Sequence, residues 1–222
     1  MAKGSYQGTI AADIIEVRFA YSGKVARVNK RRGDRVKQGE VLASLDRTVW
    51  QKELEVQLAQ YEKVRADFEI FAQKNPQPGD DITKYLKTAE QAGLNAAVKE
   101  VELAKMRVDM ADLTSPVNGV VVEDGDNRTG LYVTPASNAY RVLDGDSLRL
   151  AVELEPEEAA GTPGAREVKV SAGGREVTGK TRLPYPMPSG KKYTLEVSLT
   201  DTSGLTPGMP GEVQLEEESK PG

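Results

Sequence analysis

Residues 22–46 read SGKVARVNKRRGDRVKQGEVLASLD, and residues 118–144 read NGVVVEDGDNRTGLYVTPASNAYRVLD. The two stretches share a plan. Ser22-Gly23-Lys24-Val25 leads to Gly33-Asp34-Arg35-Val36 and closes at Leu45-Asp46. Asn118-Gly119-Val120-Val121 leads to Gly130-Leu131-Tyr132-Val133 and closes at Leu143-Asp144. Both alternate valine-rich runs with glycine, the signature of strand, tight turn, strand, glycine, strand. Gly23, Gly33, Gly119 and Gly130 are expected at turns that a Cβ would disfavour. One such half has too few strands to fold alone. The two halves are therefore expected to pack together as one small β-sandwich, although a long stretch of different texture separates them.

That stretch is helical. Residues 49–74 hold neither glycine nor proline. Steps of four and three from Trp50 give Leu54, Gln57, Tyr61, Val64, Phe68 and Phe71, a coiled-coil seam broken only at Gln57. Thr48 with Gln51 fits a capping box at its start. The helix must stop at Asn75-Pro76-Gln77-Pro78-Gly79-Asp80-Asp81, where prolines and a glycine forbid continuation and Asp81 is placed to cap a new helix. The second seam then runs Ile82, Tyr85, Ala89, Ala92, Ala96, Lys99, Leu103, Met106, Met110 and Leu113. Two helices of similar length joined by a short turn lie antiparallel, each roughly 40–45 Å long at about 1.5 Å per residue. Ala89, Ala92 and Ala96 let the backbones approach. Such a projection has too little core to be a domain; it is an arm. Its polar seam residues, Gln57 and Lys99, suit either snorkelling or the fixing of register.

After Asp144 the alternation Leu148, Leu150, Val152, Leu154 marks a half-buried strand. Val168-Lys169-Val170, Arg175-Glu176-Val177, Tyr193 to Val197 and Glu212 to Leu215 mark others, separated by Ala172-Gly173-Gly174, Ser189-Gly190 and Thr206-Pro207-Gly208. Short strands at this spacing favour a small antiparallel barrel or sandwich, with the strand-like Tyr6 to Val17 placed to complete it. The fold class is thus mainly β with an inserted antiparallel helical hairpin. The expected units are a barrel-like domain (1–16 and 145–222), the sandwich (17–47 and 114–144) and the hairpin (48–113).

Composition removes most chemistry. Of 222 residues none is cysteine or histidine, which excludes thiolate nucleophiles, disulfides, Ser-His-Asp machinery and Cys- or His-ligated metals. Lys and Arg number 30 against 34 Asp and Glu, a net charge of −4, unlike the basic balance of nucleic-acid binders. The one strong bias is Lys24, Arg27, Lys30, Arg31, Arg32, Arg35 and Lys37, with Asp34 as the only acid among them. No aromatic residue interleaves to stack on a base, so this run reads as hairpin surface, with a neighbouring subunit or an anionic surface as the second reading. Asp80-Asp81, Asp124 with Asp126 and Glu157-Glu158 lie in polar turns that would not raise a carboxyl pKa. Met106 and Met110 read as seam packing rather than soft-metal ligands. No phosphate-cradling Gly-x4-Gly-Lys-Ser/Thr loop and no long apolar run appears. Neither an enzyme nor a cofactor is expected.

The order of half-motif, α-hairpin, then Leu113-Thr114-Ser115-Pro116-Val117-Asn118-Gly119-Val120-Val121, and finally Leu205-Thr206-Pro207-Gly208-Met209, resembles the periplasmic adaptor or membrane fusion proteins of bacterial efflux and secretion systems (haemolysin-D type). The resemblance implies that the sandwich is lipoyl-like. It also implies a non-catalytic adaptor that couples an inner-membrane transporter, of ABC or RND type, to an extracytoplasmic conduit. Partners so implied are that transporter, an outer-membrane channel and further copies in a ring (a hexamer or trimer of dimers). The hairpin tip, Asn75 to Asp81, would meet the distal partner, and the turn at Pro207, Gly208 and Met209 the transporter. The Arg-x3-Leu-x6-Ser spacing of channel-docking tips does not occur between Arg65 and Leu94. Family members act in the periplasm or cell envelope, so the chain is expected to be a soluble portion without its export signal or anchor. A lipoyl or biotinyl carrier would instead need a modifiable lysine on a tight turn between the halves, where this chain has the arm. A free-standing coiled-coil scaffold is the remaining alternative.

Overall fold

The computed structural model describes residues 3–76, 79–162, 164–188 and 190–216. Two β bodies share the chain, and two long helices project from one of them.

The first body is a closed six-stranded antiparallel barrel built from β1 (Lys3–Ala11), β10 (Arg149–Leu154), β11 (Glu167–Ala172), β12 (Arg175–Thr181), β14 (Tyr193–Leu199) and β15 (Pro210–Glu216). The ring runs β10-β1-β15-β11-β12-β14 and closes through β14 onto β10. Closure leaves no ladder edge among these six strands. A short strand, β13 (Tyr185–Pro186), adds to β14, and a helical turn, α3 (Pro156–Gly161), follows β10. The alternation on β10 decides its inside: Leu150, Val152 and Leu154 are buried with Ile10, Val170, Leu195, Val197 and Val213.

The second body is the sandwich. One sheet orders β2 (Ile14–Val17), β9 (Tyr140–Asp144), β7 (Gly119–Glu123) and β4 (Arg35–Val36). The other orders β6 (Asp112–Thr114), β5 (Val41–Leu45), β3 (Gly23–Val28) and β8 (Tyr132–Val133). The halves interlock: the short β4 of the first half pairs with β7 of the second, and the short β8 of the second pairs with β3 of the first. Their hydrogen bonds repeat under the internal duplication. Gly33 N donates to Val121 O, as Gly130 N donates to Val25 O, both at 2.8 Å. Gly33 (φ +93°) and Gly130 (φ +91°) adopt the left-handed conformation these crossings need. Gly23 and Gly119 do not stand at turns, contrary to expectation. They lie within strands, and a Cβ on Gly119 would overlap the Leu143 carbonyl oxygen across the ladder.

Two boundaries differ from those expected. Tyr6 to Val17 is not one barrel strand: β1 belongs to the barrel, whereas β2 pairs with β9 of the sandwich. The chain changes body at Asp13, whose backbone N–H donates to Ser147 Oγ (2.7 Å) and whose carbonyl accepts from Asp144 N (2.9 Å). Likewise β6, which begins at Asp112, is already a sandwich strand paired with β5. The return path to the barrel is a single 3-10 turn, Gly145–Ser147.

Helices α1 (Thr48–Lys74) and α2 (Asp81–Asp109) occupy the stretch between the halves. Among the described residues no helix is long and apolar enough to cross a membrane.

Candidate functional site

With no catalytic constellation in the sequence, the candidate surfaces are the projecting helices and the joint between the two β bodies. The base of the arm is tied down by four contacts. Asp46 Oδ1 accepts from Thr48 N (3.0 Å) and Thr48 Oγ1 (2.6 Å); Arg47 pairs with Asp112 at 2.9 Å and Glu53 with Arg107 at 2.6 Å. The rings of Tyr21 and Trp50 stand 5.7 Å apart, tilted by 55°. Asp46, not a Thr48/Gln51 box, therefore satisfies the first helical donors. Those hydrogen bonds from the Thr48 hydroxyl and backbone hold its carboxyl below the usual aspartate range.

The Glu53–Arg107 pair joins the second turn of α1 to the last turn of α2, so the helices run in opposite directions. On α1 every expected seam residue, Trp50, Leu54, Gln57, Tyr61, Val64, Phe68 and Phe71, is half-buried. On α2 the seam is a different one. Leu94, Ala97 and Val101 are half-buried and Ala104 and Val108 buried, with Thr83 and Glu90 continuing the same 3-4 spacing toward the tip. The residues expected to face α1 lie outside: Ile82 is 73% exposed and Tyr85 76%, and Leu103, Met106 and Met110 are also exposed. Ala89, Ala92 and Ala96 are exposed too, as is Lys99, which pairs with Glu102 at 2.7 Å. Leu113 is buried, but on β6. The chosen seam is the one that continues from Ala104 and Val108 into Ala111 and Leu113 of the sandwich core. Packing at the base thus selects between two apolar stripes.

At the far end of the arm, Asn75 N donates to Phe71 O and Asn75 Nδ2 to the same carbonyl, both at 3.0 Å. Asp80, rather than Asp81, caps α2 by accepting from Thr83 N (2.9 Å) and Thr83 Oγ1 (2.7 Å). The Thr83 N–H lowers the Asp80 pKa, with its hydroxyl adding to the effect. Asp81 pairs with Lys84 at 2.9 Å. Pro76 and Gly79 are exposed; Gln77 and Pro78 of the expected tip lie outside the described residues.

The turn at Pro207, Gly208 and Met209 folds onto the end of β1. Gly208 N donates to Ile10 O and Ile10 N to Met209 O, both at 2.8 Å. Because β1 leaves for the sandwich just after Ile10, this turn stands at the sandwich end of the barrel, not at the opposite end, where α3 and β13 lie. Beside it Arg149 bridges the bodies. Its guanidinium reaches Asp13 of the joint at 2.8 Å and Glu196 of the barrel at 2.6 Å. Glu196 is buried and also accepts from Tyr185 Oη (3.0 Å) and Arg182 (3.3 Å). Desolvation disfavours the Arg149 charge, but the hydrogen bonds to Asp13 and Glu196 outweigh it and raise its pKa. Burial, then the Glu196 hydrogen bond, raises that of Tyr185.

No family model matches the chain. Among solved structures, the membrane fusion protein Spr0693 from Streptococcus pneumoniae is similar with a TM-score of 0.74, over 97% of this chain and 100% of that one at 19% identity. The chain has the membrane-fusion-protein fold. A MacA–MexA chimera carrying the Pseudomonas aeruginosa MexA α-hairpin domain is similar with a TM-score of 0.73, over 96% of this chain and 80% of that one at 16% identity. The periplasmic adaptor protein EmrA matches at 0.51, over 97% and 98% at 16% identity. At such identities the likeness lies in the path of the chain rather than in its side chains.

Two features of this membrane-fusion fold escaped the sequence. Arg149 sat on the outward side of an alternating strand, where nothing distinguished it from a solvated residue. Glu196 lies between buried Leu195 and Val197, all three buried in succession, so alternation assigned it to solvent. The signal that would have found the pair is Asp13 following Ala11-Ala12, an acid where β1 stops.

Proposed function

We propose that this protein is a non-catalytic adaptor, a membrane fusion protein of a bacterial efflux or secretion system. It couples an inner-membrane transporter of ABC or RND type to an extracytoplasmic conduit. The observation that carries this reading is the topology: an antiparallel helical arm inserted between two interlocked half-motifs of a β-sandwich, with a closed barrel formed by the rest of the same chain. Similarity to Spr0693 over its whole length, and to EmrA, named a periplasmic adaptor protein, supports it. The protein works in the periplasm or cell envelope as a homo-oligomeric ring and uses no cofactor. The arm's tip, Asn75 to Asp81, meets the distal partner, an outer-membrane channel where one exists. On the transporter side, the barrel end bearing α3 and β13 is better placed than the turn at Pro207, Gly208 and Met209. A carrier role has no support, because helices α1 and α2 stand where a carrier presents its modifiable lysine.

The test is to cross-link the full-length protein in its host membrane and affinity-purify it. Recovery of an inner-membrane permease or its ATPase is expected. A chain that recovers neither is a free-standing scaffold, and the adaptor reading fails.

A further inference from the structure

On the barrel, large apolar side chains are left exposed at one place. Among its described residues these are Leu183, 72% exposed, and Tyr185, both just past β12. Beside Leu183 a cavity of about 510 Å³ opens between a lip at Gly164 and Ala165, which precede β11, and the end of β12 at Lys180 to Arg182, with Ser198 of β14 on its far side. Small-molecule sites are of this size, about 300–1,000 Å³. The lip is tied to β12: Ala165 N donates to Thr181 O (2.8 Å), Thr181 N to Arg166 O (2.9 Å) and Arg166 N to Thr181 Oγ1 (3.1 Å). Ala165 nevertheless adopts φ +63°, a left-handed conformation that is costly for a residue with a Cβ. Residues held in this way concentrate at ligand clamps and other functional sites. A Cβ built on Gly164 would lie 2.8 Å from Leu183 Cγ, so the glycine lets Leu183 close against the lip.

The charge at this cavity has one sign. Its ionisable lining residues are Lys180 and Arg182. Lys180 and Ser198 pair across β12 and β14 and face outward, because the neighbouring pair, Thr181 and Val197, is the buried one. Among the described residues the Lys180 ammonium forms no ion pair, not even with Glu167 opposite it on β11, and the Ser198 hydroxyl makes no hydrogen bond. Arg182 reaches Glu196 at 3.3 Å, but its side chain is 65% exposed, and Glu196 already accepts from Arg149 and Tyr185. Among the described residues neither a carboxylate nor an aromatic ring lines the cavity, which removes cation binding and base stacking.

We propose that this cavity binds one amphiphile with an anionic head and an apolar tail. The head sits against Lys180, Arg182 and the Ser198 hydroxyl, and the tail lies along Leu183, Ala165 and Gly164. Charge-assisted hydrogen bonds orient the head, and the tail takes the exposed face of Leu183 out of water. These donors serve a carboxylate or a phosphate alike, whether a free molecule or a lipid carries it. The site goes beyond the adaptor reading and does not rest on it.

The test is a titration of the whole chain, labelled at its alanine and leucine methyls, with decanoate, followed by NMR. Saturable shifts are expected at Leu183 and Ala165. Acetate, a head without a tail, and decyl maltoside, a tail without a charge, should each bind about tenfold more weakly. Lys180→Gln should weaken decanoate about tenfold and leave decyl maltoside unchanged, whereas Leu183→Ser should weaken both about fivefold. Both positions are exposed, and an unchanged melting transition of the barrel confirms that each variant is folded. Decanoate that shifts neither methyl, or that binds the Lys180→Gln variant as tightly as the parent, overturns the proposal. So does acetate that binds as tightly as decanoate. Flotation with phosphatidylglycerol but not phosphatidylcholine vesicles, lost in Lys180→Gln, assigns the head to a bilayer lipid; decanoate binding without flotation assigns it to a free amphiphile.

Discussion

The sandwich and the arm are built from one continuous stretch of chain, yet they are held in different ways. In the sandwich Val25, Leu42, Ala43, Val133, Tyr140 and Val142 have no exposed surface. In the arm α1 buries no residue completely, and α2 buries only Ala104 and Val108, both near its base. Helices in proteins draw most of their stability from tertiary packing, and a half-buried seam supplies only part of it. The arm's order is therefore inherited from the sandwich, through Asp46, Arg47–Asp112, Glu53–Arg107 and the Tyr21–Trp50 contact. The arm also leaves apolar side chains exposed along both helices, Val49, Val56 and Ile70 on α1 and Ile82, Tyr85, Leu103 and Met106 on α2.

That contrast can be broken from either side. The largest effect is expected for Leu45→Ala, at the point where the sandwich hands the chain to α1. Leu45 is 1% exposed and its N–H donates to Ala111 O at 2.9 Å. Removing a buried leucine side chain costs about 2–5 kcal/mol. Denaturant melting should show the helical signal and the sandwich lost at one lowered midpoint. Helices that persist after the sandwich has gone would show the arm to be self-sufficient. The converse variant, Leu103→Pro, deletes a helical hydrogen bond and introduces a clash on exposed α2, a cost of about 3 kcal/mol or more, but one confined to the arm. Ellipticity at the helical band should fall while both β bodies keep their melting transitions. Unchanged helix content would sink the two-helix arm.

The same contrast explains what was legible beforehand. The sandwich and barrel strands could be read because burial on one face writes a period of two, as in Leu150, Val152 and Leu154. The α1 seam could be read because its outer stripe is interrupted by Lys52 and Lys63, leaving one dominant period. On α2 the reading failed because two stripes are apolar, and periodicity cannot say which one is covered. The decision came from Ala104 and Val108 sharing a column with Ala111, a long-range fact about the sandwich core. The joint at Asp13 was invisible for a similar reason. Two β-strands in succession carry no mark of belonging to different sheets. The tip was legible as a turn from its prolines, but which aspartate caps α2 depended on a backbone angle that both could have supplied.

The smallest expected effect concerns acid, and it separates the two regions by their chemistry. The arm's helix starts rest on the ionised carboxylates of Asp46 and Asp80, whereas the sandwich core is apolar and indifferent to pH. Both aspartates titrate below their ordinary value of 3.8 because hydrogen bonds from Thr48 and Thr83 favour the charged form. A depressed folded-state pKa means the stabilisation is complete above the unfolded value and disappears as pH falls through the folded one. The helical signal should thus be flat from neutral pH down to about pH 5 and decline below about pH 4. Glu40 of the sandwich, also lowered, first by its hydrogen bond with Lys30, adds a contribution of the same sign. Asp80→Asn isolates the arm's share, since the amide oxygen can still accept from Thr83 N while the titrating charge is gone. Its ellipticity between pH 5 and pH 2 should decline less than that of the parent chain. If the two profiles coincide, the acid response belongs to the sandwich, and the arm is held at its base more firmly than at its tip.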